Sequence, residues 1–115
     1  MAHPLFQADA VNVSRLDTLV ELVPAGIVSR VLIAEHDFRQ TLFALDADQE
    51  ISEHRSACLA IVQVLSGRLH MEVSGEAHDL EAGAWLSMPP NAPHALRAES
   101  PTCFLLTMLR VEARP

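Results

Sequence analysis

Between Glu50 and His94 the chain reads Ile51-Ser52-Glu53-His54-Arg55-Ser56, then Ala60-Ile61-Val62-Gln63-Val64-Leu65-Ser66-Gly67. It closes with Gly83-Ala84-Trp85-Leu86-Ser87-Met88-Pro89-Pro90-Asn91-Ala92-Pro93-His94. In an extended chain Ala60, Val62 and Val64 share one side, and Leu59, Ile61, Gln63 and Leu65 share the other. The first and last segments each carry one histidine beside turn-forming residues. Short apolar runs bounded by Gly, Pro, Ser and Asn read as strands and tight turns.

The same pattern extends outward in both directions. Strands are expected near 51–56, 58–65, 68–73, 77–80, 84–88, 94–98 and 102–111, punctuated by Gly67, Ser74-Gly75-Glu76, Gly83, Pro89-Pro90-Asn91 and Ser100-Pro101. Upstream, Val28 to Ala34 and Gln40 to Leu45 flank the polar turn Glu35-His36-Asp37 and form a hairpin. Ser14-Arg15-Leu16-Asp17 has the form of a capping box, and Leu16, Leu19, Val20 and Val23 follow at helical spacing until Pro24 and Gly26. That spacing predicts one short helix over 15–22. Residues 1–26 are thus an N-terminal arm with a short helix, and 27–115 an all-β barrel or sandwich of small antiparallel strands.

Two strands carry apolar residues on both faces, 59–65 and the run Cys103-Phe104-Leu105-Leu106-Thr107-Met108-Leu109. A small barrel has one interior, so the outer face of these strands needs a second cover. The arm, the short helix or another subunit can supply it. A homodimer formed by sheet packing is expected on this ground.

The totals narrow the function. A chain of 115 residues fits one domain with a real core. The net charge is −7, with eight basic residues, all arginine, which excludes the basic footprint of a nucleic-acid-binding protein. No run approaches a membrane span, and Met1 to Ala10 lacks the basic and apolar regions of a signal peptide. Cys58 and Cys103 sit in apolar surroundings without CxxC spacing and read as two buried thiols in a reducing cytoplasm, ahead of a disulfide or a metal pair.

These residues resemble the two motifs of the cupin family. The first family motif is glycine, five residues, His-x-His, three or four residues, Glu, six residues, Gly. Counting back from Gly67 puts Ala60 at the Glu position, His54 and Ser56 at the two His positions, and Asp48 at the leading glycine. The second motif is Gly, five residues, Pro-x-Gly, two residues, His, three residues, Asn. Gly83, Pro89 and His94 match it, while Asn91 replaces the middle glycine and Ala98 the final asparagine. Phe43-Ala44-Leu45 and Leu105-Leu106-Thr107-Met108 extend the likeness over about 27–111. The resemblance implies a double-stranded β-helix, or jelly-roll, barrel. It also implies a pocket inside, here lined by Ser56, Ala60, Val62 and Met71.

In metal-binding cupins two histidines and a glutamate from the first motif and one histidine from the second hold a divalent ion. Imidazole nitrogen and carboxylate oxygen suit iron, manganese, nickel, copper or zinc. Here His54 and His94 remain, but Ser56 and Ala60 cannot serve as the usual ligands. Third-ligand candidates are few. His70 alternates with Leu69 and Met71 and points to solvent; His36 sits in a turn, and His3 in the arm. Glu53 lies on the face opposite His54. His78 shares parity with Leu80 and is the best placed of the set. Two readings of the His54–His94 pair stay open: a weak metal site, or two neutral imidazoles that bind a small molecule without an ion.

No GxGxxG, P-loop, GxSxG or HExxH is present. Ser56 near His54 lacks the orienting acid and oxyanion site of a nucleophilic centre. The acidic turn Asp46, Asp48, Glu50 lacks the oxygen count of a calcium loop. The leading expectation is a small-molecule-binding cupin with a reduced or absent metal site. The alternative is a metal-dependent dioxygenase or isomerase that uses His54, His94 and a third ligand. A sensor role would need a separate partner, because no helix-turn-helix is visible.

Overall fold

The computed structural model describes residues 3–112. Nine strands follow in order: β1 (Ile27–Glu35), β2 (Phe38–Leu45), β3 (Glu50–His54), β4 (Leu59–Ser66), β5 (Arg68–Val73), β6 (Glu76–Glu81), β7 (Trp85–Met88), β8 (His94–Ala98) and β9 (Thr102–Leu109). They form two antiparallel sheets, one ordered β1-β2-β9-β4-β7 and the other β3-β8-β5-β6. Each expected strand is present within a few residues, and so is the hairpin, which turns at His36-Asp37 with Glu35 paired to Phe38.

The core lies between the sheets. Strand alternation sends Val62 and Val64 of β4, Phe104 of β9, Leu69 and Met71 of β5 and Leu96 of β8 into it, all buried. Phe43 and Phe104, paired across β2 and β9, stack with ring centroids 4.9 Å apart. Between β4 and β5 the turn requires glycine. Gly67 sits at φ +84, and a Cβ there would run into the Pro101 carbonyl and the Thr102 backbone.

The outward residues of β2 and β9 find a second cover in the N-terminal segment. Leu32, Leu42 and Leu105 form a separate buried cluster, against which Phe6, Leu16, Leu19 and Val20 pack. A β-bulge makes room for this contact. The β1–β2 register slips between Val31 and Ile33, and the carbonyls of Val31 and Leu32 accept hydrogen bonds from Leu5 N–H (3.0 Å) and Phe6 N–H (2.8 Å). The segment before Ile27 is therefore a strap laid on the five-stranded sheet.

The short helix expected over 15–22 is not formed. Only a 3-10 turn, Leu16–Thr18, is present, and its first residue has no side-chain cap. The carboxylate meant to complete the capping box is engaged elsewhere: Arg15 donates to Asp17 at 2.8 and 3.1 Å. That pairing holds the Asp17 carboxyl below its usual range. Leu16, Leu19 and Val20 reach the sheet from an irregular chain, so no helix is needed to bury them. No helix among the described residues is long and apolar enough to cross a membrane. Cys58 and Cys103 are both free.

Candidate functional site

His54 ends β3 and His94 begins β8, and the two face each other as direct cross-strand partners. The register makes this possible. Ile51 pairs with Leu96 and His54 with His94, so β3 carries one residue more than β8 over this interval. Such a bulge re-aims the side chains that follow it. The two imidazoles lie 4.2 Å apart between centroids, with planes inclined at 59°. His94 is buried, at 9% exposure, and His54 covers it from the solvent side.

Each ring is fixed in the same way. His54 Nδ1 lies 2.9 Å from the Ser52 carbonyl oxygen, and His94 Nδ1 lies 2.9 Å from the Ala92 carbonyl oxygen. A carbonyl only accepts, so both Nδ1 atoms carry the proton and donate. In the neutral rings this leaves both Nε2 lone pairs free for a hydrogen-bond donor or a metal ion. Two independent rings thus adopt one tautomer, each held by the carbonyl two residues upstream.

The loops carrying the two histidines are tied together. Asn91 N–H donates to the Ser56 carbonyl at 2.6 Å. Asn91 adopts φ 68, the left-handed conformation that glycine supplies without strain. Asp48, the other residue standing where the family motif has glycine, also has φ 68. The backbone shape of the motifs is kept at both positions, by the two side chains besides glycine that tolerate it best.

The remaining first-motif positions supply no ligand. Ser56 is half-buried, and its Oγ accepts the Cys58 N–H at 3.1 Å. Ala60 is buried on β4, paired with Met88 and Met108. Val62 and Met71 are buried in the same core cluster. Among the described residues no carboxylate, thiol or third imidazole converges on His54 and His94. His78 takes the inward parity, directly across from Met71, and is half-buried. His3 and His36 are exposed. The four-ligand centre of metal-binding cupins therefore does not fit this donor set, which offers two imidazole nitrogens and no oxygen anion.

One convergent donor group does exist, and it lies elsewhere. Ligand atoms of His70, Asp79 and Glu99 fall within 4.8 Å of one another, a spacing that could hold a metal ion. His70 occupies the outer face of β5, as its alternation with Leu69 and Met71 requires. The β5–β6 register places Asp79 directly opposite it. Glu99 arrives from the β8–β9 turn, anchored by its N–H on the Arg68 carbonyl at 2.9 Å.

With the two sheets and the paired histidines in place, comparison with known proteins agrees. The chain belongs to the cupin domain family, which matches residues 41–108. It is similar to a conserved protein of unknown function from Streptococcus pyogenes, 31% identical, covering 96% of this chain and 97% of that one at a TM-score of 0.84. A cupin superfamily protein from Desulfitobacterium hafniense shares the fold at 19% identity and a TM-score of 0.80, covering 95% and 97% of the two chains. An RmlC-like cupin from Shewanella frigidimarina does so at 20% identity and a TM-score of 0.71, covering 76% and 79%. No curated protein matches the chain.

Proposed function

We propose that this cupin binds a small molecule at the barrel mouth through the Nε2 atoms of His54 and His94, without a catalytic metal. The observation that carries this reading is the shared tautomer: both Nδ1–H groups are spent on main-chain carbonyls, and both Nε2 acceptors are left free. Two acceptors on adjacent, mutually tilted rings suit a ligand with two neighbouring hydrogen-bond donors, such as a hydroxyl or amino compound. Ala60, Val62 and Met71, expected to line the pocket, are closed into the core, so the ligand in this reading is held chiefly by the two imidazoles. A dioxygenase or isomerase built on His54 and His94 needs an anionic third ligand, and the residues around the pair do not provide one.

The protein acts, in this reading, as a cytoplasmic homodimer. Its two unpaired thiols suit a reducing compartment. Burial pushes the Cys103 thiol up, which favours its protonated form. Trp85, 60% exposed, lies on the outer face of β7, and Leu65, 38% exposed, lies on that of β4, where it borders a cavity shared with Leu16, Val20 and Leu22 of the strap. They are the apolar surface a second copy would cover. Sedimentation of the parent and of Trp85→Glu tests the dimer; a parent that stays monomeric at all concentrations removes it.

The binding test uses ligand-observed NMR on a fractionated metabolite extract, with metal content measured in parallel. The parent should broaden a ligand's signals, and the His54→Ala, His94→Ala double variant should not. Equal broadening by both proteins places the ligand elsewhere and overturns the reading. One equivalent of metal in the parent that disappears in the double variant would restore the metalloenzyme.

A further inference from the structure

We propose that His70, Asp79 and Glu99 bind one borderline divalent metal ion, of the zinc type, on the outer face of the four-stranded sheet. The site is separate from the His54–His94 pair, because His70 points away from the core that lies behind His94. One imidazole and two carboxylates form a donor set of the kind zinc accepts in proteins, with water completing the shell.

The distances are close to what an ion needs. Metal–ligand bonds of about 2.0–2.2 Å at tetrahedral angles put ligand atoms about 3.4 Å apart. His70 Nδ1 lies 2.8 Å from Asp79 Oδ1 and 3.9 Å from Glu99 Oε1. One gap is shorter than the ideal edge and the other longer, and all three ligand atoms lie within 4.8 Å of one another. The backbone is already set by two strand pairings, His70 opposite Asp79 and His70 opposite Arg97, and by the hydrogen bond from Glu99 N–H to the Arg68 carbonyl.

A second feature points the same way. His70 Nδ1 now donates its proton to Asp79, and that proton must leave for a metal to bind there. The other ring nitrogen can take it: His70 Nε2 lies 3.9 Å from Glu72 Oε1. Binding then shifts the neutral imidazole to its Nε2–H tautomer, with Glu72 accepting. The result is the carboxylate–histidine–metal arrangement that orients metal-bound imidazoles. Arg97 is a cation beside the group, 3.7 Å from Glu99 Oε1 and also 3.7 Å from Asp48. It can move to Asp48 as the ion takes Glu99.

The ion would clip the β5–β6 hairpin to the β8–β9 turn, so its effect should appear as stability. Titration of the parent with zinc chloride in a calorimeter, and with cobalt chloride by visible absorbance, should show one site. Zinc should also raise the melting temperature. His70→Ala and the near-isosteric Asp79→Asn should each weaken binding by more than about tenfold, and Glu72→Gln by about tenfold. The His54→Ala, His94→Ala protein should bind as the parent does. Unchanged affinity in His70→Ala, loss of the site in the His54/His94 variant, or no saturable binding by the parent would each overturn the proposal. Because that double variant is also the test of the barrel-mouth reading, the two proposals fail separately.

Discussion

The ring of His54 lies over the ring of His94, 4.2 Å between centroids, with one partner open to solvent and the other buried. The pair therefore divides its work. His94 is a buried residue with one polar contact, whereas His54 lies against it on the exposed side. Replacing His94 by alanine removes a buried ring and should cost about 2 kcal/mol in urea unfolding. Replacing His54 should change stability by no more than about 0.5 kcal/mol. Equal costs at the two positions would show that the rings do not differ in burial as described.

Asn91 and Asp48 hold left-handed backbone at φ 68 where the family motifs have glycine. A residue without a small polar side chain pays about 1 kcal/mol there. Asn91→Ala should be destabilised by roughly that amount, whereas Asn91→Gly should be neutral or slightly stabilised. Asp48→Gly should also be tolerated, since the ion pair it loses to Arg97 is long and exposed. Equilibrium denaturation of the three variants checks the order.

The strap on the five-stranded sheet depends on Leu42, which is fully buried against Leu32 and Leu105. Leu42→Ala should cost about 2–4 kcal/mol. Phe6, Leu16 and Leu19 pack on the same cluster, so the loss should loosen the segment before Ile27. Limited proteolysis should then cut within residues 7–25 faster than in the parent. Unchanged cleavage would mean that the strap is held by its backbone contacts to Val31 and Leu32 alone.

Asp46 anchors the far end of the strap. Its carboxylate accepts the Ala25 N–H at 2.7 Å and the Ala47 N–H at 2.8 Å. These bonds, the Ala25 bond first, hold its carboxyl below the usual range. A depressed folded-state pKa means that the stabilisation is fully present above the unfolded value of about 3.9. It is lost as pH falls through the folded value. Asp46→Asn should therefore flatten the acid limb of the stability profile below about pH 4, with little change in the profile above neutral pH. Thermal melts at several pH values read this directly.

Most of the strand order was legible because the turns are chemically explicit: Gly67, Ser74-Gly75, Gly83 and Pro89-Pro90-Asn91 each interrupt an alternating run. The cupin motifs then fixed the pairing of His54 with His94 in space. The helix over 15–22 was misread because helical spacing and an irregular strap bury the same side chains, Leu16, Leu19 and Val20. The capping-box signal failed because Arg15, inside the motif, competes for Asp17. The outward direction of His70 was readable from its alternation. Its meeting with Asp79 was also within reach, since a two-residue turn at Ser74-Gly75 pairs Val73 with Glu76 and so His70 with Asp79. Glu99 was not, because it arrives from a distant turn through the β5–β8 pairing, which no local pattern encodes.

The extra residue in β3 between Ile51 and His54 has a consequence for how this site can change. With an unbroken register from Ile51 and Leu96, the residue facing His94 would be Glu53 in place of His54. Deleting Ser52 or Glu53 would remove the bulge and keep His54 opposite His94, whereas flattening the bulge at constant length would bring Glu53 there. At this position the register of β3, and not the identity of any core residue, decides whether an imidazole or a carboxylate faces His94.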